Sequence, residues 1–526
     1  MKNRWREDIL IGSLFFILYL AIGSYMAVVR HYIPYDALGR LVSAWLVLNG
    51  TEVKLASIGF VWPPIPTLLA IPFTLLPALV NNWIAVVILS AVCMALAVVV
   101  VNHMAAFLEI PSGWRHATAI LFGINPLMVI FGANGMSEAI LVLFTLLAVY
   151  FMLRNWKLDS NTSLIFSAFF FGLLPLVRYE FALITLWGGL LIATLCWRRL
   201  NRFTPETFRD FMEGRLIAYS SMAIYPIFLW SLASWFIMGS PFYFLVNDRS
   251  AVSLAEMQTS SMTTLLVNPV FSFNLVSGVW PAIFWVGLAG LAGIVYYGFK
   301  KKSLFLFGLG GLWLIIPVLQ FFLLNWQATV PLLRYFIMSV PLGLVLALTT
   351  VSLGLGTLKN NRRGSQLLLA GFLLLFILSN YGSYHQLMVY PYQNIEAESW
   401  KAITTNKEID NEHFNDSYMV GQVLAANIPP GSRVLIDTYQ FGFAILLGAK
   451  DHDLFMDFTD PDYDAALKDP PGYVDYLIIP SPKQRGSLYA INREHKKLFN
   501  EGATWAEQVD ILPKSSLEWK LFKVKR

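Results

Sequence analysis

The sequence predicts a polytopic α-helical membrane protein that ends in a small soluble α/β domain. Hydrophobic residues make up 56% of the chain, charged residues make up 13%, and the mean hydropathy is +0.58. A soluble protein of this length would carry about 25% charged residues. Apolar runs long enough to cross a bilayer recur up to residue 386 and then stop.

The membrane part contains eleven candidate spans. A helix needs about 20 apolar residues to cross a bilayer, and segments of this kind lie at 9–29, 83–102, 116–133, 137–153, 163–179, 181–197, 216–238, 279–299, 303–324, 335–355 and 366–386. The first follows a short basic N-terminus without a small-residue cleavage site, so we interpret it as an uncleaved helix.

The basic residues of the connecting loops predict the orientation. They concentrate in alternate loops, such as Arg198–Arg199 and Lys300–Lys302, whereas the intervening loops are poor in them. Basic loops stay on the cytoplasmic side of a membrane. We therefore predict a cytoplasmic N-terminus, an extracytoplasmic C-terminal domain and residence in the plasma membrane. The basic residues fit this pattern, so they do not indicate a nucleic-acid partner.

The segment 62–80 is apolar enough to cross the membrane, but a crossing here would place every later basic loop on the wrong side. It is also rich in proline, which kinks helices. We therefore predict an embedded or re-entrant segment on the outer side, with its free backbone groups covered by protein. A single crossing stays open if one of the other candidate spans is false.

Residues 387–526 predict an extracytoplasmic α/β domain, and 1–386 the transmembrane domain. Strand-like runs lie at 433–438, 474–480 and 519–524, and no Gly-rich phosphate loop is present. An acidic loop lies between the first two runs and contains Asp451, Asp453, Asp457, Asp460, Asp462, Asp464 and Asp469. It lacks the ligand order of an EF-hand, so the sequence favours a solvated loop over a calcium site. Cys93 and Cys196 lie in apolar spans, which supports neither a disulfide framework nor a thiolate metal site.

Asp36 follows the first span, and apolar residues recur at helical spacing from Leu38 to Trp45. This pattern predicts an amphipathic helix along the outer membrane surface, with Asp36 and Arg40 near the end that faces the bundle. A second interpretation stays open: Asp36 is an ordinary acid at a helix start, where the helix dipole favours it.

Further ionisable residues lie at outer turns that are otherwise poor in charge. Glu138 starts a span, Arg178 and Glu180 share a turn, and Arg334 and Tyr335 share another. A helix-start acid and snorkelling boundary arginines are the alternative interpretations. Because a carboxylate at membrane depth must face protein or water, we predict that these residues converge in one outward pocket.

Outward carboxylates and arginines together suit sugar transfer from a lipid phosphate. The leaving group departs as an anion, and the guanidinium fork of arginine matches phosphate oxygens. The acceptor hydroxyl loses a proton as it attacks, and a nearby carboxylate can take that proton. Asp36 is the candidate base.

These residues, in this order, resemble the membrane-embedded GT-C glycosyltransferases that use polyprenyl-phosphate sugars, a group that includes the protein O-mannosyltransferases and the lipid A aminoarabinose transferase. In that family an acid follows the first helix, a surface helix ends in a small-residue turn, and a Pro-Pro segment re-enters the membrane. The matching positions here are Asp36, Asn49-Gly50 and Pro63-Pro64, followed by Asn125-Pro126 through Gly135 to Glu138. The resemblance covers the chain up to residue 386.

The resemblance implies that Asp36 is the catalytic base, that Glu138 is an acid of the donor or metal site, and that Arg178 and Arg334 bind phosphate. It implies transfer of a hexose or pentose from a polyprenyl-phosphate donor to a hydroxyl or amine of a glycan, lipid or protein acceptor at the outer face, with inversion. We add three residues to the predicted donor site: Arg40, Glu180 and Tyr335.

The resemblance has one departure. Many members have two adjacent acids in the first loop, whereas Ala37 follows Asp36 here. Participation of a divalent metal therefore stays open. The C-terminal domain is similar to those of several bacterial relatives, which implies an acceptor-binding or partner module.

Two other classes stay open at this point. A transporter or flippase for a lipid-linked sugar would also have many spans, but its ionisable groups would lie near span centres, and the sequence shows no convincing internal repeat. A non-catalytic membrane scaffold would tolerate the loss of the Asp36 carboxylate.

Overall fold

The computed structural model describes residues 4–50, 53–200, 204–246, 269–326, 329, 331–392, 395–405, 412–439 and 441–525. Helices dominate this part of the chain. Up to residue 246 they are α1 (Arg4–Ser24), α2 (Tyr35–Asn49), α3 (Pro64–Thr74), α4 (Pro77–Asn81), α5 (Ile84–Phe107), α6 (Ser112–Gly123), α7 (Pro126–Ala133), α8 (Glu138–Leu158), α9 (Asn161–Leu173), α10 (Ala182–Trp197), α11 (Pro205–Met238) and α12 (Tyr243–Val246).

The remaining helices belong to the end of the bundle and to the C-terminal domain. They are α13 (Pro269–Ile283), α14 (Trp285–Lys301), α15 (Leu304–Asn325), α16 (Ser339–Thr357), α17 (Arg362–Val389), α18 (Ile395–Thr404), α19 (Glu412–Asn427), α20 (Gly442–Ala449), α21 (Tyr463–Lys468), α22 (Ala490–Glu494) and α23 (Leu498–Glu501).

The structure confirms a helical, multi-pass membrane protein. Within the described ranges, eight helices are long and apolar enough to cross a bilayer, or up to ten if each of two bent pairs counts as one span. All eleven predicted spans fall on helical segments, but three of them are not straight spanning helices. The segment 163–179 falls mainly on a shorter apolar helix, Asn161–Leu176.

The other two exceptions, 116–133 and 279–299, are broken, so a single straight span is wrong at both places. Helices α6 and α7 meet at 62°, because Asn125 precedes Pro126, which disfavours helical backbone at the residue before it. The Asn125 side chain then caps α7 by accepting from the Leu127 and Met128 amides. Helices α13 and α14 meet at 90° around Phe284.

The proline-rich segment 62–80 forms two short helices, α3 and α4, instead of one long helix. Pro64 and Pro77 each occupy the first turn of their helix, where the missing amide costs nothing. The 11 residues of α3 span roughly 16 Å, about half of a bilayer core. These lengths agree with an embedded segment, and whether it re-enters the membrane stays a prediction.

The C-terminal part contains a five-stranded sheet with the order β2-β1-β3-β5-β4. The predicted strand runs contain β1 (Val434–Leu435), β3 (Tyr476–Ile479) and β5 (Lys520–Val524). Sequence reasoning missed β2 (Phe455–Met456) and β4 (Ala506–Val509). β1 pairs in parallel with β2 and β3, whereas β5 pairs antiparallel with β3 and β4.

The C-terminal domain packs on α2. The Tyr35 and Phe441 rings lie edge to face with centroids 4.7 Å apart, and the Trp45 and His452 rings with centroids 6.3 Å apart. A methyl group at Gly39 would lie 2.8 Å from the Trp62 ring, so α2 packs closely on that indole. The predicted surface helix is therefore a helix, but protein covers most of its surface.

Candidate active site

Asp36 lies in the first turn of α2. Pro34 precedes the helix with extended backbone, and Tyr35 is the first helical residue. The Asp36 Oδ2 atom accepts a hydrogen bond from Arg334 Nη1 at 2.5 Å. Asp36 is thus both a helix-start acid, favoured by the helix dipole, and the partner of a distant arginine, so the two interpretations of this residue are compatible.

The Asp36 carboxyl is held in its ionised form. Burial raises its pKa, but the charge and hydrogen bond of Arg334, together with the charges of Arg40 and Arg178, lower the pKa below its usual value. The side chain is nevertheless 36% exposed. A carboxylate with this environment is deprotonated at neutral pH and open to an incoming molecule.

Arg178 joins two other predicted acids. Its Nη1 atom donates to Glu138 Oε1 at 2.7 Å, and its Nε atom donates to Glu180 Oε1 at 2.6 Å. Glu138 is fully buried at the start of α8, where Gly135 has a positive φ of 76° that lets the chain turn into the helix. The positive charge of Arg178 offsets the cost of burying the Glu138 carboxylate, although its Oε2 atom has no hydrogen-bond partner among the described residues.

Tyr335 connects the two ion-paired groups. The Arg178 guanidinium carbon lies 4.8 Å from the centre of the Tyr335 ring, and that of Arg334 lies 5.6 Å from it. Cations within about 6 Å of an aromatic ring are attracted to its face. The ring therefore holds the two guanidinium groups at fixed positions without neutralising either of them.

Arg40 is the third arginine of the site. It is 8% exposed, and its guanidinium carbon lies 5.4 Å from the centre of the Trp62 ring. In the part of the chain that the structure describes, its buried Nε and Nη1 atoms have no hydrogen-bond partner. Burial lowers the pKa of Arg40 to about 10, against the opposing effect of the Asp36 and Glu138 charges. Arg40 is therefore still a cation at neutral pH.

The structure thus brings the predicted site residues into one charged cluster at the ends of several helices. Glu396, in the first turn of α18, is a fourth acid that sequence reasoning missed. It is 1% exposed and interacts electrostatically with Arg334 and Glu138. Glu396 lies in a polar segment that follows the last span. The three-residue spacing of Glu396, Ser399 and Ala402, which share one buried helix face, is the sequence pattern that could have indicated it.

The three acids that are paired with arginines do not fit a preformed divalent-metal site. Asp36 is held by Arg334, and Glu138 and Glu180 share Arg178. A hard cation needs several carboxylate oxygens directed at one point, and here guanidinium groups take that place. We therefore derive no step through a metal.

Within the described residues, one group of side chains has metal-ligand spacing, and it lies in the C-terminal domain: His452, Asp457 and Asp460. All three are buried, so the solvated-loop prediction is wrong for them. The reason is that protein donors satisfy their carboxylates. Asp457 accepts from the Thr459 amide and from His452 Nε2, and Asp460 accepts from Arg433 and from the Asp457 amide. Protein contacts therefore hold the group together, and the Arg433 guanidinium lies 2.9 Å from Asp460 Oδ1.

Comparison with known proteins supports the fold. The family model for dolichyl-phosphate-mannose-protein mannosyltransferases matches residues 63–207. The crystal structure of ArnT from Cupriavidus metallidurans bound to undecaprenyl phosphate is similar over 97% of this chain and 97% of that chain, with a TM-score of 0.51 and 11% identity. A search of curated proteins finds no match. The predicted GT-C-like fold is confirmed.

Proposed function

We propose that this chain, which has the GT-C fold, is a glycosyltransferase that moves a sugar from a polyprenyl-phosphate donor to a hydroxyl or amine acceptor at the outer face of the membrane. The observation that carries the proposal is the contact between Asp36 Oδ2 and Arg334 Nη1, 298 residues apart in the chain. It places a candidate base beside a candidate phosphate ligand. The match to a mannosyltransferase family model and the likeness to an undecaprenyl-phosphate-bound structure support the same donor class.

The arginines act on the leaving group. When the bond between the sugar and the phosphate oxygen breaks, its electron pair stays on the phosphate, so negative charge accumulates there. Arg40 has two buried donors that no described residue accepts from, and Arg334 Nε is a third such donor. Donors that are already fixed in a water-poor site stabilise developing charge without reorganising. No acid is needed to protonate the leaving oxygen.

Asp36 acts on the acceptor. The acceptor oxygen or nitrogen forms a bond to the anomeric carbon and releases a proton, which Asp36 takes. The lowered pKa of Asp36 keeps it deprotonated and ready at neutral pH. A single displacement brings the acceptor in opposite the departing phosphate, so the sugar configuration inverts.

The position of the charges favours an enzyme over a transporter. Glu138 and Arg334 lie at the first turns of the spanning helices Glu138–Leu158 and Leu333–Thr357, and Arg178 immediately precedes Tyr179–Trp197. Transporters bind their substrates near the midplane of the bilayer. Charges at the ends of spans instead suit a reaction at the membrane surface, where a lipid phosphate lies.

We assign the C-terminal domain, 387–526, to acceptor binding or to a partner. Its contact with α2 through Tyr35 and Phe441 supports this role, because α2 carries the candidate base. The basic loops support an extracytoplasmic location for this domain.

Replacing Asp36 by asparagine tests the proposal. The measurement is release of undecaprenyl phosphate from undecaprenyl-phosphate pentose and hexose donors by the purified protein in lipid nanodiscs, alongside binding of undecaprenyl phosphate itself. General-base catalysis is worth about 10²–10⁴-fold, so we expect Asp36→Asn to lose at least two orders of magnitude in turnover and to keep lipid binding.

The matched control is Glu206→Gln, which changes an exposed acid in the first turn of α11. It should leave turnover and binding unchanged. Wild-type turnover by Asp36→Asn would show that Asp36 is not the base. Failure of the wild-type protein to bind undecaprenyl phosphate would rule out the proposed class of donor.

A further inference from the structure

Glu396 is the one acid of the cluster whose carboxylate oxygens both lack a hydrogen-bond partner among the described residues. It is 1% exposed and belongs to α18, which packs on α7. The main-chain amides of Glu396 and Arg334 lie close enough to this carboxyl to lower its pKa, but no hydrogen bond of good geometry reaches either oxygen from the described residues. A buried polar group without a partner is costly, so its position needs a reason.

Charge balance at the cluster does not explain Glu396. The three positive charges of Arg40, Arg178 and Arg334 are equal in number to the negative charges of Asp36, Glu138 and Glu180. Arg334 forms an ion pair with Asp36, and Arg178 forms ion pairs with Glu138 and Glu180. An ionised Glu396 would add one unbalanced negative charge in a buried place, close to where the leaving phosphate would lie. Two anions at that distance would repel each other.

The groups around Glu396 agree with a neutral carboxyl. The charged or titratable neighbours are Arg334, Glu138, Tyr390 and Tyr32, the last of which hydrogen-bonds the Ile395 carbonyl oxygen and Ser399 on the same helix. Burial raises the pKa of Glu396 to about 7, although the main-chain amides of Glu396 and Arg334 and the charge of Arg334 lower it; the charge of Glu138 raises it further. Up to neutral pH the group therefore keeps its proton for much of the time.

We propose that Glu396 in its neutral carboxylic acid form donates a hydrogen bond to a phosphate oxygen of the lipid donor and of the lipid phosphate product. This inference rests on the proposed function. It assigns to the site a neutral donor beside the three cationic ones. It also makes α18, the first helix after the last span, a part of the donor site.

The hydrogen bond from Glu396 should have its largest effect at the end of the reaction. The lipid-linked sugar is a phosphodiester with one negative charge. After the sugar has left, the lipid phosphate is a phosphomonoester, which has a second ionisation with a pKa near 6. The proton of the acceptor goes to Asp36, so the phosphate receives none in the displacement. A carboxylic acid with a comparable pKa forms a strong hydrogen bond to the doubly charged product and is repelled by it once ionised.

The test is binding of undecaprenyl phosphate to the purified protein in nanodiscs between pH 6 and 8.5. Wild-type affinity should fall as the pH rises through about 7, because Glu396 ionises. Glu396→Gln, whose amide donates but does not titrate, should bind at pH 6.5 as wild type does and lose this part of the pH dependence. Glu396→Ala should bind about tenfold or more weakly at pH 6.5, as expected for a lost hydrogen bond to a charged group.

The control is Glu398→Gln on the same helix, where the native carboxylate contacts Lys401 at 2.6 Å. It should keep the wild-type profile. A wild-type pH profile in Glu396→Gln, or wild-type affinity in Glu396→Ala, would overturn the assignment. If Glu396→Ala does not fold, the Glu396→Gln profile decides alone. The measurement is binding of undecaprenyl phosphate and is separate from turnover. If the Glu396 variants bind as the wild type does while turnover still depends on Asp36, this inference is refuted and the proposed function stands.

Discussion

Replacing Arg178 by methionine should destabilise the protein more than any single loss of its carboxylate partners. Arg178 holds Glu138 and Glu180 through contacts of 2.7 and 2.6 Å, and Glu138 is fully buried. Methionine retains the apolar stem and removes the charge, which leaves Glu138 uncompensated. Removing one partner of a buried ion pair costs about 3–5 kcal/mol in the free energy of unfolding.

The size of the coupling follows from the geometry. Glu138→Gln leaves Arg178 paired with Glu180, so it removes one charge-assisted hydrogen bond, worth about 1.5–3 kcal/mol. In Glu138→Gln/Arg178→Met no uncompensated buried carboxylate is left at position 138. The double variant should therefore be no less stable than Arg178→Met alone. Its loss of stability should then be smaller than the sum of the losses in the two single variants, by about 1.5–3 kcal/mol.

The assay is unfolding in SDS-titrated mixed micelles, followed by tryptophan fluorescence, for the wild type, both single variants and the double variant. Arg362→Met, which removes an exposed arginine at the start of α17, is the control and should change little. Additive effects of the two single changes would show that Glu138 and Arg178 are not coupled and would refute the ion-pair description of the site.

Three other perturbations have defined outcomes. In Gly39→Ala the new methyl group would lie 2.8 Å from the Trp62 ring and should push that ring away. We expect this variant to bind undecaprenyl phosphate more weakly without unfolding. Burial lowers the pKa of His452, but the hydrogen bond and charge of Asp457 raise it above its usual value. The contribution of this contact to stability is therefore fully present below about pH 6.5 and should be lost as the pH rises through the raised pKa. His452→Gln should remove that part of the pH dependence in full-chain thermal unfolding. Asp451→Cys should react with a membrane-impermeant maleimide in intact cells. The background should be low because both native cysteines are buried. A reaction that occurs only after the cells are lysed would contradict the predicted orientation.

Hydropathy predicted most of the fold because spanning helices are long and apolar. It did not predict the breaks in them. The break before Pro126 has a local signal in the Asn-Pro pair. At the break around Phe284, the Val286 amide donates to Ser379 Oγ at 2.8 Å on a distant helix. Such a contact has no trace in a hydropathy profile.

The site shows a similar division. Acids and arginines at charge-poor outer turns could be expected to converge, because charge at membrane depth must face a partner or water. Which groups pair depends on tertiary geometry, so the sequence did not reveal that Arg178 binds two carboxylates. Glu396 escaped notice because it lies in a polar stretch, where one more acid is unremarkable without knowledge of its burial.

The same geometry ties the C-terminal domain to the chemistry. Helix α2 carries Asp36 and Arg40 and lies against this domain through Phe441 and Phe443, while α18 brings Glu396 to the opposite part of the cluster. The Asp36–Arg334 contact joins two segments that are 298 residues apart in the chain. A change in how the C-terminal domain packs on α2 should therefore alter the position of the candidate base relative to Arg334.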